Sequence, residues 1–440
     1  MDLMLSFAIF MAAMLLSLIR GATMILPLLV GLIAFALVAL RRGFRPVAIA
    51  RMFASGMWES RIVVLVMLMI GCLTSLWRQS GTIAYFTYYG VRLIPPGLFL
   101  LAAFILAALM SFALGTSFGV AGTVGVILMT IARASNLSPA LVGGAVMSGL
   151  YVGDRGSPAA SSASLVANET RTDVSENIRR MLPSSILPLI LCVLFYAVLS
   201  RFSRPERVDA DLLARFAEEF RLSPWCLLPT ILLLVLAFAG INIKAVMLVN
   251  IITSILLTYL LQGTPLPGIL RMVLAGYAPR SDELMPILSG GGVRSMLEVE
   301  AILLLSSGCA GIFEGTRMLS SIEGAFAKLC GRIGRFPAMI VASLANCAVF
   351  CNQTIGIIMC RQCMAGNYGD DRAALMLDIE NSVVTIAGLV PWCIASSVPL
   401  KMLGCNMSAL PFAAYLYLIP LCWHFSLKLK RRRATAHSMD

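Results

Sequence analysis

The sequence predicts an all-α polytopic membrane protein. It is expected to hold two inverted repeats, each of about five spans plus a re-entrant helical hairpin, with broken helices at the midplane. Three observations lead there: a composition poor in charge, long charge-free runs, and a faint internal duplication. The 440 residues are 59% hydrophobic and 13% charged, with a mean hydropathy of +0.89; soluble domains carry about 25% charged residues. A span takes about 20 apolar residues, because the hydrocarbon core is about 30 Å thick and a helix rises about 1.5 Å per residue. Runs of that size recur at 21–40, 134–153, 181–200, 222–243, 245–270, 381–400 and 402–427. Long uninterrupted runs, rather than short alternating strands, argue against an outer-membrane barrel.

Taken in chain order, spans are expected at 3–19, 22–40, 62–77, 139–167 and 184–200, matched by 223–240, 244–261, 298–313, 380–400 and 409–427. The stretch 93–132 has no charge and is too long for one span. Pro95-Pro96 opens it and Gly115-Thr116-Ser117 interrupts it, so it reads as a hairpin with its tip at 115–119. Its counterpart is 336–360, with the tip at 350–354. One offset superposes Gly71-Cys72 on Gly308-Cys309, Gly115-Thr116-Ser117 on Asn352-Gln353-Thr354, and Gly119 on Gly356, given an insertion near 279–297. An odd number of crossings per half would invert the second copy. The expected divisions are a first repeat at 1–200, a connector at 201–222, a second repeat at 223–427 and a basic tail at 428–440.

The net charge of +12 fits a positive-inside bias. The tail Lys428, Lys430, Arg431, Arg432, Arg433 suits a cytoplasmic end beside anionic lipid. Both termini are expected in the cytoplasm, with Arg317 among the inner charges. The basic residues are scattered among spans, so nucleic acid is not an expected partner. The N-terminus has an acidic flank and no small-residue cleavage site, which makes it a first span rather than a removed signal. The twelve cysteines sit mostly in apolar runs and read as packing residues. Cys360 and Cys363 form a lone C-x-x-C, and the two histidines, His424 and His437, lie far off; no metal is expected. Phosphate-loop and zinc-protease motifs are absent. Gly115-Thr116-Ser117-Phe118-Gly119 matches a hydrolase elbow in letters, but no histidine precedes His424, so an enzyme is not expected.

Chemistry is expected where helices break, since unwound backbone at membrane depth must line a protein cavity. Four breaks are candidates: 112–119, 149–164, 350–356 and 380–392. Gly115, Gly153, Pro158 and Pro391 are the expected breakers. Asp154 is the foremost candidate, because a carboxylate within a span is costly to keep and can hold either a cation or a proton. A merely structural Asp154–Arg155 arrangement that caps a broken helix is the competing account. Glu380 holds the matching place in the second half. Thr116, Ser117, Ser157, Asn352, Gln353 and Thr354 offer hard oxygen ligands, although hydroxyls often bond back to their own helix.

Two strings then resemble a known family. They are Gly115-Thr116-Ser117-Phe118-Gly119 with Gly122-Thr123-Val124-Gly125-Val126, and Ser148-Gly149-Leu150-Tyr151-Val152-Gly153-Asp154-Arg155-Gly156-Ser157-Pro158. Together with Glu380-Asn381-Ser382 and Leu389-Val390-Pro391-Trp392, they are similar to NhaC-type sodium/proton antiporters of the ion transporter superfamily. The resemblance implies exchange of Na⁺ or Li⁺ for H⁺ by alternating access, no cofactor beyond those ions, and a bacterial plasma (inner) membrane. It leaves open a homodimer and a coupled carrier of a small organic anion or amino acid, since related members exchange malate and lactate. The sequence departs from the family pattern in one direction. Ser161, Asn381 and Asn352 stand where acidic residues are common.

Overall fold

A computed structural model of the chain describes residues 2–93, 95–203, 210–316 and 320–437. Arg317, part of the 201–222 connector and the last three residues of the tail lie outside the described residues, as do the side chains of Lys430 through Arg433. Among the described residues the fold is helical, with one isolated bridge between Tyr277 and Gly290.

The first half runs α1 (Asp2–Ile19), α2 (Ile25–Arg41), α3 (Pro46–Glu59), α4 (Arg61–Gln79), α5 (Thr82–Leu93) and α6 (Phe99–Leu114). After a two-residue break, α7 (Ser117–Val120) passes through a π-helical turn (Ala121–Gly125) into α8 (Val126–Ala134). Then come α9 (Pro139–Gly156), α10 (Ser161–Thr170) and α11 (Val174–Phe202). The second half opens with α12 (Ala210–Glu219), then α13 (Leu228–Phe238), α14 (Ile243–Leu260), α15 (Leu266–Ala275) and a short α16 (Met285–Leu288). It continues with α17 (Val293–Thr316), α18 (Ser320–Ile333), α19 (Arg335–Phe350), α20 (Gln353–Met364) and α21 (Arg372–Glu380). The end is α22 (Val383–Ile386), α23 (Ile394–Leu403) and α24 (Ala414–His437).

Five of these helical stretches are long and apolar enough to cross a membrane: Arg61–Gln79, Ser117–Ala134, Val174–Phe202, Ile243–Leu260 and Val293–Thr316. Two further pairs bend within what would be one span, by 89° between Asp211–Glu219 and Pro224–Phe238 and by 50° between Arg372–Leu389 and Ile394–Leu403. The outer faces are apolar. Leu182, Ile186, Ile190, Leu194 and Val198 on α11 are all exposed, as are Leu248, Ile252 and Leu256 on α14. Continuous apolar stripes of this kind face hydrocarbon, not water.

The buried faces are built by close helix crossings. α6 lies along α9, where a Cβ added to Gly149 or Gly153 would strike the backbone of Phe104 or Ser111. α3 crosses α17 in the same manner, through Gly56 against the Ser307 carbonyl and Gly311 against the Met52 carbonyl. Small residues at four-residue spacing permit such approach in a setting where hydrophobicity alone does not drive helices together. The halves interlock: α2 and α3 pack on α17, while α14 and α15 pack on α4. Phe7, Phe35, Phe313 and Phe350 form one aromatic cluster that joins α1, α2, α17 and α19.

Several expectations change. The single span expected at 139–167 is two helices, broken at 157–160. Gly153 lies inside α9 and does not break it; its missing side chain serves the α6 crossing. Pro158 does sit in the break, and Pro391 lies in the non-helical stretch before α23. The amphipathic α3, α5, α15 and α18 went unassigned because they are short and carry charge, which hides them from a search for apolar runs.

Candidate functional site

Two helix breaks frame the site. At the first, Gly115 adopts the left-handed conformation (φ 63°, ψ 23°) and Thr116 is extended (−147°, 124°). At the second, Cys351 (54°, 17°) and Asn352 (−142°, 128°) do the same. Left-handed backbone is free for glycine but costs other residues roughly 1 kcal/mol, so Cys351 is held there by its surroundings. Its carbonyl accepts from Ile394 N at 2.7 Å. Thr116 and Asn352 then cap the helices that follow, accepting from Gly119 N and Thr354 N. The backbone therefore equates Thr116 with Asn352 and Ser117 with Gln353. That is one residue away from the register expected from sequence, in which matching Gly119 to Gly356 pairs Gly115 with Asn352. After the second tip the chain folds back on itself, with Asn346 Nδ2 3.4 Å from Cys360 Sγ.

Both tips face Asp154. Gln353 Nε2 donates to Asp154 Oδ2 at 2.9 Å and to the Val384 carbonyl at 2.8 Å. Ser117, its counterpart at the first tip, lies beside the same carboxylate. Asp154 is on the last turn of α9, 5% exposed, and Ser162 Oγ donates to its main-chain carbonyl. A cavity of about 470 Å³ opens beside it, with the exposed loop Gly240–Asn242 at its mouth. Gly115, Thr116, Ser117, Asp154, Asn352, Gln353 and Thr354 all line that cavity, and so does Ser161.

Five of the expected residues stay off its wall, Pro391 before α23 among them. Ser157 is buried and accepts from Ala159 N at 3.2 Å, shaping the break after α9. Gly153 and Pro158 are structural, and Glu380 is fully buried at the end of α21 with no partner for either carboxylate oxygen among the described residues. The adjacent Arg155 explains that position. It is fully buried, and its guanidinium donates to the Glu380 carbonyl (3.2 Å), Asn381 Oδ1 (2.8 Å), Ser184 Oγ (2.8 Å) and Ser185 Oγ (2.5 Å). Arg155 thus ties α9 to α11 and to the end of α21, and does not merely cap Asp154. A buried guanidinium held by neutral acceptors still needs a counter-charge, and Asp154 and Glu380 are the carboxylates near it. Ser184, Ser185 and Lys244, which also lines the cavity, escaped notice in the sequence. Ser184-Ser185 follows Pro183 inside α11, a hydroxyl pair in an apolar run that was a readable signal. Among the described residues no group of three or more His, Cys, Asp or Glu could hold a metal ion, and Cys360 bonds Asn346 and Ser343 instead.

The sequence matches the Na⁺/H⁺ antiporter family over residues 3–168 and 149–424, nearly the whole chain. The chain belongs to the Na⁺/H⁺ antiporter family. Among curated members, it is 27% identical to the malate-2H⁺/Na⁺-lactate antiporter of Bacillus subtilis, over 86% of this chain and 83% of that one. It is 24% identical to the Na⁺/H⁺ antiporter NhaC of the same organism, over 90% of each. It is 25% identical to the arginine/ornithine antiporter ArcD of Halobacterium salinarum, over 75% of this chain and 70% of that one. Membership in this antiporter family agrees with the apolar helices: the protein is a membrane transporter and acts on a cation or small solute across a bilayer. Within the family frame, Asn381 is notable because it accepts from Arg155 where the expected pattern has an acid.

Proposed function

We propose that this Na⁺/H⁺ antiporter exchanges Na⁺ or Li⁺ for H⁺ at Asp154, by alternating access. One observation carries the assignment of the site: the two tips, one from each half, meet the buried Asp154 carboxylate at the wall of a cavity, Gln353 through a hydrogen bond and Ser117 beside it. Ionised, that carboxylate can take a small cation along with the Thr116 and Ser117 hydroxyls and the Asn352, Gln353 and Thr354 side chains. Protonated, it returns empty of metal. Arg155 and Glu380 set the electrostatics behind it, and Ser157 fixes the break that frees the main chain beside it. Carboxylates able to share the load are few, because Ser161, Asn352 and Asn381 are neutral.

The halves are proposed to be inverted repeats, 1–200 and 223–427, joined by 201–222. The order of elements supports this: α1 to α4, α6, α7 with α8, and α9 to α11 find counterparts in α13, α14, α15, α17, α19, α20, α21, α23 and α24, and the tips share their dihedral angles. Re-entrant hairpins, a bacterial inner membrane, cytoplasmic termini and a homodimer complete the proposal. The charge bias and the basic tail support the orientation.

A second reading has its own observation. Lys244, at the start of α14, lines the same cavity and has no ion-pair partner among the described residues. A cation in the same cavity as Asp154 suits a zwitterion or carboxylate, as carried by the relatives named for lactate, malate or arginine. The test uses everted vesicles from an antiporter-deficient bacterium. With the lumen acidified, Na⁺ or Li⁺ should collapse ΔpH with the wild type and not with Asp154→Asn. No response to either ion in a correctly inserted protein would overturn cation exchange and turn attention to organic solutes.

A further inference from the structure

A short helix follows each of the two central breaks: α10 (Ser161–Thr170) after 157–160, and α23 (Ile394–Leu403) after 390–393. Each ends on a left-handed residue, Arg171 (φ 53°, ψ 50°) and Gly404 (φ 63°, ψ 36°). Each begins at the cavity, where Ser161 and Ile394 line the wall. From there the two run in opposite directions. α23 ends where Arg133 donates to the carbonyls of Leu403 (2.8 Å) and Gly404 (3.1 Å), and Gly143, near the start of α9, faces Cys405 at that level. α10 leads instead into α11, whose Ser184 and Ser185 meet Arg155 at the end of α9 and whose Tyr196 meets Ser148 farther back. The start of α11 therefore lies about 16 Å beyond Arg155, on the other side. That is the side of the cavity mouth. Along α4, Met67 is at the cavity and Ile70 already meets Gly122 on the way to Arg133, so Ile62 lies toward the end of α10.

The two short helices are fastened differently. Each is tied to the helix that follows the other half's tip: α23 to α8 through Arg133, and α10 to α20 through Glu169 and Arg361, 4.0 Å apart. α23 has a second tie, to a long helix. It packs on α17, and Lys401 Nζ pairs with Glu298 Oε2. The matching place on the mouth side is open. Aligning α10 with α23 from their first residues sets Asn168 against Lys401, and the offset that pairs Gly71 with Gly308 sets Arg61 against Glu298. Arg61 turns back to its own neighbour, donating to the Trp58 carbonyl at 3.0 Å and lying 4.9 Å over the Trp58 ring. Both Arg61 and Asn168 are exposed. The cavity opens between these two helices, with Ile62, Val63 and Val66 of α4 on one wall and Ser161 of α10 on another.

We infer that α10 and α23 are the two gates of the transporter, and that Lys401 and Glu298 form the latch that holds the gate opposite the cavity mouth shut. The cycle exchanges the two gaps: α10 closes onto α4 as α23 leaves α17, and Asp154, just before the first break, meets each side in turn. The inference rests on the alternating-access and repeat reading above. The latch side chains are 39% and 45% exposed. An exposed pair moves an equilibrium by up to about fivefold, which is weak enough to open in every turnover.

Glu298→Cys with Lys401→Cys, bridged by a short bis-maleimide, tests whether this gate must open. Protein shown by peptide mapping to be bridged should lose Na⁺/H⁺ exchange. The untreated double variant and each treated single variant should stay within about fivefold of the wild type, the reach of one exposed ion pair. Wild-type rates in the bridged protein would overturn the gate. A second measurement does not depend on activity. Arg61→Cys with Asn168→Cys reports closure on the mouth side through the rate at which the same reagent bridges them. Adding Lys401→Glu, which sets two acids face to face, should speed that bridging about fivefold, and adding Glu298→Lys as well should reverse the gain. Bridging at an unchanged rate would overturn the exchange of gaps. A wild type that exchanges no cation would instead sink the transporter reading, with the bridging rates still read on their own.

Discussion

Asp154 is a residue with two suitors. Gln353 spends one amide hydrogen on it and the other on Val384, which fixes its orientation. A hydrogen bond to a charged group contributes about 1.5–3 kcal/mol. Gln353→Leu is therefore expected to shift the Na⁺ concentration for half-maximal ΔpH collapse about tenfold or more, with insertion unchanged. A shift below twofold would place Gln353 outside the site. Gly115 makes a different demand. A Cβ there would lie 2.5 Å from the Ala159 carbonyl carbon, on a backbone with φ 63°. Gly115→Ala should cut exchange severely by pushing the 157–160 segment off the first tip. Both positions were legible, since amides and glycine inside apolar runs stand out. Arg155 was legible only as a neighbour of Asp154, because its partners come from α11 and α21, distant in sequence.

At the scale of elements, two of the α9 glycines allow a sharp comparison. Gly153 faces the α6 backbone, while Gly156, three residues on, meets nothing within 4 Å. Gly153→Leu should abolish a monodisperse peak in fluorescence-detected size-exclusion, and Gly156→Ala should leave it intact. Equal behaviour would mean that the α6–α9 crossing is not tight. The apolar runs reveal most long helices, because a span needs length and no charge. They cannot place the break at 157–160 instead of at Gly153, since glycine signals close approach and backbone freedom alike. Nor do they reveal α3 and α15. These carry arginines and half-exposed faces, and only their crossings with α17 and α4 give them a place in the core.

For the molecule as a whole, the halves are woven together and not merely joined, with α17 seated on α2 and α3 and α4 on α14 and α15. Neither half buries these faces alone. Expressed separately, 1–203 and 210–440 should each be degraded, and together they should reassemble and restore exchange. Survival of either alone would contradict the interlock. The same weave gives the Asp154 contacts a mechanical meaning. The two side chains that meet this carboxylate belong to opposite halves, so the carboxylate is a clasp between them. On the proposed assignment, a cation bound at Asp154 competes with these contacts for the carboxylate's lone pairs and makes the donors turn their oxygens toward it. Arrival of the cargo would thereby loosen the clasp, and a proton, which leaves an oxygen free to accept, would let it fasten again. The occupant of the site and the freedom of the halves to move would then be one variable, with no distant relay needed to report that the carrier is loaded.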